Sequence, residues 1–336
     1  MGHLLAAPDK FRGTADASQV AAAAARGAAR CGWTATELPM ADGGEGLLAA
    51  LGGEVRKDEV TGPLGTTVVA EWRLVPDMPG CAGPTAVIEM ARASGLVLAG
   101  GAAHNDPLDA STVGTGELVM RAVAAGAKRV IVGCGGSAST DGGAGAVTVI
   151  GSPGALDEAE LIAACDVTTR FVDAAKVFAP QKGASPDQVE ELTARLVTIA
   201  TGYRTELGID VTDLPGAGAA GGLAGGLAAL GAEIVSGFEL VAGILGLDEQ
   251  LAEANVVMTG EGYLDSQSFS GKVVGGVARH AAGRVPVLCV VGEAAPDVGD
   301  PPFALVSLVA RFGATRARSD VLQLIEEVVA EHLSAT

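Results

Sequence analysis

The chain is short of positive charge. Its 336 residues carry 22 lysines and arginines against 40 aspartates and glutamates, a net charge of −18. No basic cluster interrupts this balance. A nucleic-acid partner requires a basic footprint, so none is expected. The same field disfavours an anionic membrane surface. Any site for an anionic substrate must then be locally positive or metal-assisted. Cysteine is sparse and unpatterned: Cys31, Cys81, Cys134, Cys165 and Cys289 form no CxxC pair and are odd in number. That points to neither a disulfide framework nor a zinc site, and leaves reduced, buried thiols as the simple reading. His3, His104, His280 and His332 fall in no catalytic pattern. HExxH and GxSxG are missing, and Gly271-Lys272 is followed by Val273 and lacks the upstream glycine of a Walker A loop. The N-terminus shows no basic segment leading into a long apolar one, so no signal peptide is expected. The longest uncharged stretch, 214–232, is mostly glycine and alanine and too weakly apolar for a membrane span. A cytoplasmic location is expected.

Glycine is what the chain has in excess, with 49 residues, many in short clusters. A hydrophobic share of 49% and a charged share of 18% describe a globular protein, and the length allows two domains. The most informative stretch is Lys128 to Gly145, KRVIVGCGGSASTDGGAG. Val130-Ile131-Val132 reads as a buried strand. It breaks into a loop of glycines and hydroxyls: Gly135, Gly136, Ser137, Ser139 and Thr140. Asp141 follows, at the start of a helix of small residues. Glycine lets backbone N–H groups turn toward a ligand, and hydroxyls and helix-terminal amides suit phosphate or carboxylate. The plainer reading is a tight turn capped by Asp141.

The two chain ends share a texture. His3–Ala7 reads as a strand ending in PDKFRG, and a helix follows to about Arg30, with Ser18 as its cap. Thr34–Met40 is a second strand ending in ADGGEG, before a helix at 47–51. From Val256 the pattern repeats as strand, loop (EGYLDSQS) and helix, then strands at 287–291 and 304–309 and a last helix from Ser319 to about Leu333. Between the ends the texture changes. Val55–Val60, Thr67–Val75 and Ala86–Met90 are strand-like with only turns between them, which predicts a mixed or antiparallel sheet. The expected class is therefore α/β: a Rossmann-like domain built from both chain ends, 1–55 and 235–336, plus a second, inserted α/β domain with a mixed sheet, 56–234. Gly216 to Gly221, GAGAAG, matches GxGxxG. No β-branched strand precedes it, so close packing is favoured over a dinucleotide site.

Carboxylates and lysines recur in loop positions, mostly beside glycine: Asp9/Lys10, Asp42/Glu45, Asp141, Asp166, Lys182, Glu261/Asp265 and Lys272. Each alone reads more simply as a cap. Together they match what phosphoryl transfer requires: carboxylates for Mg2+, cations and amides for phosphates, and one carboxylate to orient or deprotonate the attacking hydroxyl.

At these residues the chain resembles the bacterial glycerate kinases of the two-domain, Rossmann-like class, in a shortened form. The matching segments run in the family's order: APDKFRGT (7–14), LPMADGGEG (38–46), VTGPLG (60–65), AVIEMARASGL (86–96), TVGTGEL (112–118), GCGGSASTDGGAG (133–145), ACDVT (164–168), FAPQKGA (178–184), LPGAGAAGGL (214–223) and TGEGYLDSQSFSGKV (259–273). The resemblance implies phosphorylation of D-glycerate, at the 2- or 3-hydroxyl, with ATP and Mg2+. Carried onto the matching positions, Asp9, Lys10, Arg12, Gly43, Gly44, Gly135, Gly136, Ser137 and Lys272 are expected to hold substrate or phosphate. Asp42 and Asp265 are expected to hold the metal. Asp166 or Asp141 is expected to be the base, with Lys182 neutralising phosphate charge. Glycerate is the expected partner, and a homo-oligomer stays open. Two departures stand out. The segment 146–163 is about thirty residues shorter than is usual in the family, and 169–177 reads as an ordinary helical stretch where the family carries Asn-Pro-Leu and a Gly-Pro turn. They motivate the alternatives of a kinase for a related hydroxy acid, or a diverged relative that only binds one.

Overall fold

A computed structural model describes residues 2–269 and 271–335. Among these residues, the strands are β1 (His3–Ala6), β2 (Thr34–Glu37), β3 (Glu54–Thr61), β4 (Thr67–Val75), β5 (Thr85–Glu89), β6 (Arg129–Gly133), β7 (Glu160–Ala164), β8 (Glu233–Val235), β9 (Val256–Leu264), β10 (Val287–Ala294) and β11 (Ala304–Ser307). They form two sheets, and the chain divides into two compact units, 1–42 with 238–336, and 43–237.

The first unit holds a wholly parallel sheet in the order β11-β10-β9-β1-β2. Its central strands are apolar on both faces, with Leu4, Leu5, Val256, Val257, Leu288 and Val290 all buried, as a parallel sheet covered by helices requires. The helix Ala17–Arg30 covers one face and packs on Val321–Ser334. Its cap is Asp16, not Ser18. The Asp16 carboxylate accepts from Gln19 N at 2.8 Å, and the Gln19 side chain accepts from Asp16 N at 3.0 Å. That reciprocal box satisfies two helix-end donors at once, which a cap two residues later would leave open. From β1 the chain winds outward to β2, while β9, β10 and β11 run off on the other side. The gap between β1 and β9 is thus a topological switch point, where α/β sheets bind ligands beyond their strand ends.

The second unit holds a mixed sheet in the order β3-β4-β5-β6-β7-β8. β3, β4 and β5 pair antiparallel, and β5 to β8 pair parallel. Trp72, Ile88, Val130, Val132, Leu223 and Leu227 centre its core. The short helix Leu47–Leu51, expected with the first domain, packs on β5. Register aligns Glu89, Gly133, Ala164 and Val235 in one row across β5, β6, β7 and β8. Every loop leaving that row therefore emerges at one edge of the sheet. The segment after β7 is a 3-10 turn, Phe171–Asp173, and a helix, Ala174–Phe178. Phe171 is wholly buried and meets the Tyr203 ring edge-on at 6.1 Å, so this stretch has a core of its own.

Candidate functional site

The glycine loop after β6 lies at the carboxyl edge of the second unit. It is stitched to the segment 90–96: Met90 N donates to Gly133 O at 3.1 Å, Leu96 N to Gly136 O at 2.9 Å, and Ala138 N to Ser94 O at 3.0 Å. Among the described residues, the N–H groups of Gly135, Gly136 and Ser137 find no acceptor. Gly136 has φ +69°, which favours glycine. Gly133 and Gly135 abut Gly43 and Gly44: a Cβ at Gly133 would stand 2.5 Å from Gly43 O, and one at Gly135 2.9 Å from Gly44 Cα. The two expected glycine loops are thus in backbone contact.

Lys182 lies beneath this loop. It is 3% exposed, and its Nζ donates to Ser137 Oγ at 2.7 Å and Ser139 O at 2.6 Å. Asn105 ties the same two segments, donating to Ala138 O at 3.1 Å and Lys182 O at 2.9 Å. Burial pulls the Lys182 ammonium down to about 7, opposed by the charge of Asp141. Asp141 itself accepts from four donors: Thr112 N at 2.9 Å, Thr112 Oγ1 at 2.7 Å, Gly143 N at 3.1 Å and Gly145 N at 3.2 Å. It holds the Thr112 turn against the helix Ala144–Ile150 and is poorly placed to take a proton. Lys182 is equally committed to its own loop.

Asp166 leaves β7 at the same edge and accepts from Ser236 Oγ, just after β8, at 2.8 Å. Glu89 ends β5. Its Oε1 accepts from Gly46 N at 2.8 Å and Leu48 N at 3.1 Å, and its Oε2 from Arg92 Nε at 3.0 Å. Glu89 is 2% exposed, so this pairing satisfies a buried carboxylate. Glu89 and Arg92 carried no expected role: the backbone donors that Glu89 satisfies lie about forty residues away, and Arg92 pairs with Glu89 itself. The only local signal is a charged residue at the end of an apolar strand.

In the first unit, Asp9, Lys10 and Glu261 flank the switch point. Asp9 N donates to Gly260 O at 2.9 Å, which sets the loop after β1 alongside β9. Burial pushes the Asp9 carboxyl up to about 6, with Lys10 opposing and Asp42 adding to the rise. Lys10 Nζ is 3.6 Å from Asp9 Oδ1. Burial also pushes Glu261 up to about 7. Ser268 and Lys272 lower it, while Asp9 and Asp265 raise it. Among the described residues, Glu261 Oε1 is buried without a hydrogen-bond partner. Glu261 was a sequence candidate only for its loop position, and burial singles it out. Asp265 instead closes its own loop, its Oδ1 accepting from Gln267 N, Ser268 N and Ser268 Oγ. Arg12 is exposed, and Lys272 stands just before the helix Val273–Ala281, with no capping bond from its side chain.

Among the described residues no three His, Cys, Asp or Glu side chains form a ready-made metal cage. Mg2+ does not ask for one, since it is held by one or two carboxylates plus substrate phosphates. The crowded Asp9, Asp42 and Glu261, with an orphaned carboxylate oxygen, fit such a cation. No helix among the described residues is long and apolar enough to cross a membrane, and the five cysteines are free. The GAGAAG stretch is a packing device. Gly221, at φ +71°, leaves no room for a Cβ, which would stand 2.1 Å from Ser139 O.

Comparison with known proteins adds the following. The family model described as the glycerate kinase family matches residues 4–155 and 152–327, two pieces that overlap at 152–155. The chain is 40% identical to Glycerate 2-kinase of Escherichia coli over 88% of its own length and 86% of that protein's. It is 38% identical to Glycerate kinase of Halalkalibacterium halodurans, covering 96% of this chain and 95% of that one. A crystal structure of a putative glycerate kinase 2 from Salmonella typhimurium superposes with TM-score 0.82 at 34% identity, covering 99% of both chains.

Proposed function

The chain belongs to the glycerate kinase family, and on that premise we propose that it moves the terminal phosphoryl group of ATP to a hydroxyl of D-glycerate in the cytoplasm. The observation that carries this reading is the row of loops at the carboxyl edge of the second unit. Uncommitted amides on 135–137 and a carboxylate, Asp166, leave neighbouring strands there. An anion receptor beside a base is what a hydroxy acid requires.

Asp166 is the base, held in orientation by Ser236 and drawing the proton from the attacking hydroxyl. Gly135, Gly136 and Ser137 hold the anionic end of the substrate. Asp141 and Lys182 shape the loop instead of reacting. In the first unit one or two of the carboxylates Asp9, Asp42 and Glu261 would hold Mg2+, which when bound supplies charge neutralisation at the phosphates. Lys10 and Arg12 share the loop of Asp9, Lys272 follows β9, and all three add positive charge for phosphate oxygens. The name of the Escherichia coli relative makes the 2-hydroxyl the first expectation.

The test is ATP turnover with Mg2+ and D-glycerate, followed by phosphorus NMR of the product. A 2-phosphoglycerate signal is expected, and a 3-phosphoglycerate signal moves the acceptor. Unchanged ATP, with a hydroxy acid that still raises the melting temperature, replaces the kinase reading with a binding protein.

A further inference from the structure

We propose that Arg92 and the N–H groups of Gly135, Gly136 and Ser137 form one cradle for the carboxylate of the hydroxy-acid substrate, with Arg92 setting the preference for an acid over a neutral polyol. The proposal rests on the kinase reading for the identity of the substrate.

Arg92 lies in the middle of the segment 90–96 that wraps the glycine loop, with backbone bonds to that loop on either side of it. Ala91 touches Gly136, since a Cβ added there would be 3.3 Å from Ala91 Cβ. Gly95 and Ser137 form a β-bridge. The guanidinium is anchored only through Nε, on the buried Glu89 carboxylate. Among the described residues both terminal nitrogens lack a partner, and the side chain is 52% exposed. A guanidinium fixed at Nε and open at its fork matches the two oxygens of a carboxylate.

The neighbouring cation cannot do this job. Lys182 is buried, and its Nζ is engaged by Ser137 Oγ and Ser139 O. In its charged form Lys182 fills the acceptor side of the Ser137 hydroxyl and so turns the hydroxyl proton away, toward an incoming anion. Toward an incoming anion the loop and Arg92 together therefore offer three amides, one hydroxyl and one guanidinium fork. The 2-hydroxyl of a hydroxy acid sits on the carbon bearing the carboxylate. A carboxylate at the end of β6 brings that hydroxyl to the neighbouring strand, β7, whose loop carries Asp166. A polyphosphate would want more charge than one arginine supplies, and the carboxylate does not.

The test uses the full chain with Arg92→Lys, which keeps the charge facing Glu89 but loses the fork, and with the double variant Glu89→Gln/Arg92→Met, which removes both charges together. KM for D-glycerate is expected to rise about 10- to 100-fold in either variant, the worth of one to two charge-assisted hydrogen bonds. KM for ATP stays near the wild-type value, and the preference for D-glycerate over glycerol falls by the same factor. An unchanged KM for D-glycerate overturns the cradle. A rise in KM for ATP instead overturns the carboxylate assignment in favour of a phosphate. If the wild type does not turn over glycerate, the kinase reading fails separately. The cradle is then judged by whether glycerate raises the melting temperature of the wild type but not of Arg92→Lys.

Discussion

Lys182 carries its charge where charge is costly, and that cost can be read by titration. Its pKa is about 7 when folded, against 10.5 in an open chain. Between these values the unfolded state binds a proton that the folded state has shed. Stability therefore rises with pH across that window, and the penalty is full below about pH 7. Lys182→Met removes the titrating group. The wild type should gain roughly 4 kcal/mol on that variant between pH 7 and 10.5, as measured by urea unfolding at several pH values. Parallel curves would mean that Lys182 keeps its proton throughout. The two candidate bases separate in the same way. Asp141→Asn loses at least one strong acceptor and should cost about 2–4 kcal/mol of stability, while the folded fraction keeps most of its kcat. Asp166→Asn should leave the urea midpoint nearly unmoved and lower kcat about 100-fold or more. If the two variants exchange these behaviours, the roles are exchanged too.

The stretch 169–177, one of the two expected departures from the family pattern, leads into elements at 171–178 whose structural role a single substitution tests. Phe171 is wholly buried against Leu192, Leu196 and Tyr203, and it lies under Gly225, where a Cβ would be 2.4 Å from the ring. Phe171→Ala should cost about 3–5 kcal/mol, seen as a lower urea midpoint. A cost below about 1 kcal/mol would show that the stretch lies loosely on the unit. A helical stretch was expected here because the residues lack the glycine and proline of a turn, and the structure makes it a 3-10 turn followed by a short helix. Its partner, the helix Ala219–Ala229, opens with left-handed residues at Ala220, Gly221 and Gly222, and that opening is what periodicity cannot announce. The site was legible to a similar depth. Glycine loops on strand ends stood out because their composition is local, whereas Lys182 looked like a phosphate ligand because only packing reveals its burial. Glu89 was read as a strand residue and Arg92 was given no role, since the backbone donors that Glu89 satisfies lie more than forty positions upstream.

At the scale of the whole molecule the two units ask different things of the chain. Residues 43–237 are contiguous and contain every strand of their sheet, together with the Trp72 core and the Phe171 core. The other unit must bring β1 and β2 from one end to β9, β10 and β11 from the other, so its sheet closes only when both ends are made. Such a division predicts that residues 43–237, expressed alone, unfold cooperatively in urea, whereas residues 238–336 alone do not, because β9 then lacks its neighbour β1. The isolated 43–237 segment also holds the glycine loop, Arg92 and Asp166, so D-glycerate should raise its melting temperature in the absence of ATP and Mg2+. A segment that folds but ignores glycerate would place substrate recognition outside it, in the acidic loops of the other unit. A net charge of −11 over residues 43–237, from 12 lysines and arginines against 23 aspartates and glutamates, makes this a demanding test. Only a locally positive cradle can hold an acid against that field, so binding by the segment alone would show that Arg92, Lys182 and the loop amides supply enough positive potential by themselves.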